Sequence, residues 1–197
     1  MYLRQRQHRA AHHNQPNALV HLRRRGHWRI EHVHCRAGEP MAAAPRLAVH
    51  AVSRVQQALG DAWSLRGITS NERYVERSEK AQLLAIQQGL GRPEKTRAAL
   101  IPIRKNAAWW ALTQDERREV FETRSHHNQI GMQSLPQVSR KLHHCRDLSE
   151  TEPFDFLTWF EYASAHQEVF DDMLVQLRAT EEWRYIDRGV DIRLVRD

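Results

Sequence analysis

The chain has 197 residues, enough for one sizeable core and too few for two large independent domains. Hydrophobic residues make up 41% and six tryptophans are present, so a wholly disordered protein is excluded. The formal charge of +6 invites a nucleic-acid reading, but eight arginines against Glu31 and Glu39 put that whole excess in residues 1–40. Residues 41–197 are neutral overall and carry no sign of a polyanion binder.

Cys35 and Cys145 are the only cysteines, far apart and in unlike contexts, which argues against a disulfide framework or a four-cysteine zinc site and for a reducing compartment. No apolar run approaches the roughly 18–20 residues of a membrane span. The Arg/His-rich start also lacks the apolar stretch and cleavage site of a secretory signal. The expected location is the cytoplasm, with no membrane and no nucleic-acid partner.

Residues 1–18 have almost no large apolar side chains and read as a disordered tail or an over-extended start. A short N-terminal lobe is expected over 19–62 and a second domain over 63–197. WRIEHVHC from Trp28 alternates like a half-buried strand; residues 46–59 suit a strand or a helix, and 64–70 looks extended around Gly67. SEKAQLLAIQQGLG has helix formers ending in glycine.

AALIPIRK at 98–105 predicts a strand leading to Lys105, with Pro102 placing it at a sheet edge or bulge. Thr113 to Glu116 forms a capping-box pattern that predicts a helix through about Gln129. Ser134 to Gln137 repeats that start signal, and Leu135, Val138 and Leu142 at helical spacing predict a second helix. FDFLTWFEYA at 154–163 reads as a central strand with both faces apolar, and Ser164 to Gln167 as a third capping box. The helix after it carries a stripe of Val169, Phe170, Met173, Leu174 and Leu177, and VDIRLVR closes the chain as a strand. Strand, helix pair, strand, helix, strand is the order of a ferredoxin-like α+β sheet with helices on one face, a form that often pairs or fuses into barrels.

Of thirteen histidines, seven lie in residues 1–40, where incidental surface placement explains them. The doublets His126–His127 and His143–His144 stand at or near predicted helix ends. A neutral imidazole is a good axial ligand for haem iron when its other ring nitrogen has a fixed acceptor.

The stretch IPIRKNAAWW, SHHNQIG, SRKLHHCRD, FDFLTWFE, TEEWRY and VDIRL resembles the haem-binding half of chlorite dismutases, with the likeness running from about Trp63 to Arg196. The resemblance implies a proximal histidine thirteen positions before a distal arginine, which selects His127 and Arg140. It implies that Glu182, with Glu181 as the adjacent alternative, accepts from the imidazole. It places Lys105, Trp109 and Tyr74 around the haem propionates and edge, and Trp110 at the subunit or pocket wall. The shorter N-terminal part implies a dimeric α/β barrel form with a truncated first lobe and a homodimer.

The implied reaction is that of a haem b chlorite O2-lyase: chlorite transfers an oxygen atom to ferric haem, and the ferryl haem and hypochlorite recombine into dioxygen and chloride. Arg140 would bind the small anion and retain hypochlorite, since a guanidinium offers permanent charge and directed donors. Alternatives are a coprohaem decarboxylase, against which Arg140 argues, a haem-binding or sensing protein without turnover, and a cofactor-free structural dimer.

Overall fold

A computed structural model describes residues 18–21, 27–51, 63–69 and 77–197. Tyr74 and the expected tail at 1–18 lie outside these residues, except for Ala18, which is the first residue of a strand. Strands β1 (Ala18–His21), β2 (Trp28–Ala37), β3 (Arg46–Ala51) and β4 (Ser64–Arg66) come first. After helix α1 (Arg77–Ile86) follow β5 (Arg97–Lys105), β6 (Val138–His144), β7 (Phe156–Tyr162) and β8 (Ile186–Arg196).

The eight strands form one sheet in the order β4-β1-β3-β2-β8-β5-β7-β6. The second set of four, β8-β5-β7-β6, has the ferredoxin-like order with all pairings antiparallel, and the first set repeats that order. The first set is the shorter: residues 22–27 separate β1 from β2, whereas residues 106–137 separate β5 from β6. Paired backbone hydrogen bonds between Ile68 and His144, at 3.0 and 2.8 Å, join the segment after β4 to β6, so the two ends of the sheet meet and it curls into a barrel.

Alternation along the strands sorts the side chains onto two faces. Ala98 and Leu100 on β5, Leu157 and Trp159 on β7, and Val190, Ile192 and Leu194 on β8 fill the barrel interior, where Trp28 meets Trp159 edge-on at 5.4 Å. Their neighbours Ala99, Ile101, Phe160 and Tyr162 face outward against α5 (Gln167–Arg178). The predicted stripe on α5 does this packing: Phe170 is fully buried and stacks on Tyr162 at 4.5 Å. Burying such a side chain contributes about 1.5–3 kcal/mol.

Four expectations are corrected. The helix from Thr113 keeps its capping box, with Glu116 accepting from the Thr113 amide at 2.7 Å, but it is broken into α3 (Gln114–Arg118), a π-turn (Glu119–Arg124) and α4 (His127–Gln133). The break is His126, whose φ of 50° is left-handed.

The helix predicted from Ser134 is instead a turn followed by strand β6, which pairs with β7 along its whole length. The Ser134 hydroxyl points backward, donating to the Gly131 carbonyl at 2.8 Å, so it closes α4 rather than opening a helix. Ser164 caps nothing either; its hydroxyl accepts from Arg97 Nε at 3.4 Å, and α5 starts after a 3-10 turn at Ser164–His166. Of the two places expected for Pro102, the edge is wrong, since its strand is flanked on both sides; the ladder is nevertheless disturbed there as expected, because pairing with β8 lapses at Ile101 and Pro102 before resuming at Ile103.

Candidate functional site

The outward face of β5, β6 and β7 does not pack fully against the helices. Between them lies a cleft that is open on one side to solvent. Its wall is mainly apolar, with Ile101, Ile103, Leu142, Phe156, Leu174 and Trp183 among the lining side chains. His127, Glu182, Lys105, Trp109 and Arg140 also line it.

His127 is the first residue of α4, and the left-handed His126 turns the chain there. Phe121 from the π-turn stacks on the imidazole at 4.2 Å. His127 Nδ1 donates to Glu182 Oε2 at 2.6 Å, which leaves Nε2 as the ring nitrogen able to bind a metal. Glu182 is held in turn by Ser125, whose hydroxyl accepts from the Glu182 amide at 2.9 Å. Glu181 turns away to Arg124, at 3.1 Å, so the geometry distinguishes the two carboxylates.

The second oxygen of Glu182 accepts from Lys105 Nζ at 2.6 Å, and that ammonium lies 4.2 Å above the Trp109 ring. Burial alone would push the Glu182 carboxyl up, but His127 and Lys105 outweigh it and hold it at about 2. The carboxylate is therefore charged at neutral pH and bridges an imidazole and an ammonium. Lys105, expected around the propionates and edge of a bound haem, lines the cleft with its ammonium bound to Glu182.

Trp109 comes from α2 (Ala107–Ala111), which Asn106 caps by accepting from the Trp109 amide at 3.0 Å. Trp110 does not line the cleft. It lies between the guanidinium groups of Arg146, at 4.2 Å, and Arg117, at 5.1 Å, and packs on Phe156.

Arg140, Leu142 and His144 follow one another on the cleft face of β6. The Arg140 guanidinium rests against α4 at Gly131, one turn beyond His127: a Cβ on Gly131 would lie 2.9 Å from Arg140 Cζ.

Sequence reasoning did not single out Phe121, Asn128 or Arg178, which also line the cleft. Asn128 is buried and its side-chain nitrogen has no hydrogen-bond partner. Its position next to His127 was the signal available. His144 was noticed as half of a doublet, and only the strand register shows that it faces the cleft while His143 does not.

Comparison with known proteins gives a consistent picture. A sequence model described as Chlorite dismutase matches residues 30–196. A chlorite dismutase from Ideonella dechloratans is 32% identical over 127 residues, covering 62% of this chain and 41% of that protein, so the chain spans about two fifths of that relative's length. A solved dimeric chlorite dismutase from Nitrobacter winogradskyi is 52% identical with a TM-score of 0.83, covering 91% of this chain and 99% of that one. A mutant chlorite dismutase from Candidatus Nitrospira defluvii is 26% identical with a TM-score of 0.56, covering 70% and 56%. With the family match extending over most of its length, this chain belongs to the chlorite dismutase family.

Proposed function

We propose that this chain is a haem b-dependent chlorite O2-lyase that converts chlorite into chloride and dioxygen. The observation that carries this reading is the 2.6 Å bond from His127 Nδ1 to a half-buried, charged Glu182 at the wall of an apolar cleft. The residues present fit haem: the cleft wall is mainly apolar, His127 Nε2 is left to ligate, and Asn128 beside it has a buried side-chain nitrogen without a hydrogen-bond partner.

His127 would hold the iron through Nε2, and Glu182 would hold the Nδ1 proton and so raise the donor strength of the ring. Haem bound there supplies the redox-active iron at which the Cl–O bonds of chlorite break and the O–O bond of dioxygen forms. Chlorite contains every atom of chloride and dioxygen, so no outside reductant is consumed. Arg140 would bind the chlorite anion and keep oxychlorine species from escaping, because its charge is permanent and the surrounding wall is apolar. The Nitrobacter relative, nearly all of whose length this chain covers, is described as dimeric, which supports a homodimer here. No helix among the described residues is long and apolar enough to cross a membrane.

The test is to reconstitute the full chain with haem b and follow oxygen with an electrode on adding chlorite. Rapid oxygen release with stoichiometric chloride is expected. A haem spectrum without oxygen release would overturn the lyase reading in favour of a sensing or haem-synthesis role, and no Soret band would overturn the cofactor.

A further inference from the structure

Lys105 is held at both ends by carboxylates, the half-buried Glu182 and the buried Asp155. Its ammonium bonds Glu182 at 2.6 Å, and its backbone amide donates to Asp155 Oδ2 at 2.7 Å. The second bond sits where the ladder between β5 and β8 changes register: Arg104 pairs with Arg188 but Lys105 pairs with Ile186, so Asp187 bulges out. At such a bulge a backbone amide loses its regular partner, and the direction of the next side chain depends on what replaces it.

Asp155 is well anchored for that task. Its own amide donates to the Ile103 carbonyl at 2.8 Å, its carbonyl accepts from Cys145 at 2.8 Å, and Arg146 stands 3.7 Å from its other oxygen. The next amide along, that of Asn106, donates to the Tyr185 carbonyl at 2.9 Å, which ties the same corner to the short helix that carries Glu182.

We propose that Asp155 is a positioning residue: by holding the Lys105 amide at the β-bulge it aims the ammonium at Glu182 and thereby tunes how strongly Glu182 pulls on the His127 Nδ1 proton. The inference rests on the haem reading above for its effect on iron, and on the present geometry alone for its effect on His127. An ammonium on Glu182 draws negative charge from the oxygen that faces His127. Removing it strengthens the carboxylate as an acceptor, makes the imidazole a stronger donor and favours ferric over ferrous iron.

The experiment compares the full haem-loaded chain with Asp155→Ala, Asp155→Asn and Lys105→Met by redox titration. D155A and K105M should both shift the Fe(III)/Fe(II) potential to more negative values, and the double variant should shift it no further than K105M alone, since both changes break one path. D155N retains an acceptor oxygen for the amide and should stay near the parent. An unshifted D155A, or a double variant whose shifts simply add, overturns the proposal. If D155A does not fold, Asp155→Ser takes its place, its hydroxyl being too short to reach the amide.

In the apoprotein the NMR resonance of the His127 Nδ1 proton should move downfield in D155A or D155S as in K105M, and not in D155N. An unmoved resonance in the Asp155 variants overturns the proposal even if the chain proves not to bind haem, whereas a failure of the parent to take up haem overturns only the cofactor reading.

Discussion

The guanidinium of Arg140 occupies the place that a Cβ on Gly131 would need. The atom in the way is the far end of a flexible side chain, so Gly131→Ala should fold, and the better helix propensity of alanine offsets the contact by up to about 1 kcal/mol. The arginine, not the helix, should give way. With haem and chlorite, G131A should change KM, and Arg140→Ala should keep haem but bleach after fewer turnovers. Steady-state oxygen release and total turnover number measure both; parent-like values in R140A would remove the retention role.

Glu182 gives His127 its acceptor, so Glu182→Gln, which keeps the shape and loses the charge, should weaken His127 as a ligand for iron. Haem affinity should fall about 10–100-fold, the usual cost of losing such a partner. The Fe(III)/Fe(II) potential should rise, opposite in sign to the Lys105→Met effect. His127→Ala should lose the haem or most of its affinity. Spectrophotometric haem titration reads both, and tight binding in H127A would mean that another residue ligates the iron.

His143 points into the barrel beside Thr69 Oγ1 at 3.2 Å, and burial, with the charge of Lys141, pushes it down from 6.5 to about 4. The unfolded chain takes up this proton first as pH falls, so the stability is present above pH 6.5 and is lost between there and about pH 4. The loss is about 3 kcal/mol for a shift of that size. Urea unfolding of the apoprotein at a series of pH values should show it, and His143→Gln should flatten the slope; an unchanged slope would mean that other groups carry it.

The two thiols should differ. Cys35 is exposed on β2, whereas Cys145 is buried in the barrel interior and burial pushes its thiol far above the usual range. A disulfide reagent added to the native protein should titrate Cys35 alone, and Cys145 only after denaturation. Fast reaction of Cys145 would show that the barrel end opens under native conditions.

Much of this protein follows from local pattern. The alternation in FDFLTWFEYA and VDIRLVR predicts β7 and β8, and the stripe on α5 predicts the face that packs on the sheet. The spacing of His127 and Arg140, read with the family resemblance, selects two residues that line one cleft. These features depend on near neighbours in the chain or on a motif, and both are visible in one dimension.

Tertiary structure decided the rest. Residues 138–144 read as a helix because Ser134 to Gln137 has the pattern of a helix start and Leu135, Val138 and Leu142 stand at helical spacing, but seven pairings with β7 outweigh that local spacing. Pro102 is accepted in a flanked strand because the ladder lapses beside it. Above all, only the fold brings Lys105, His127 and Asp155 together around Glu182 and the end of β5. Their partners are distant in sequence, and a buried carboxylate is stable only where the folded chain supplies cations or amides to meet it.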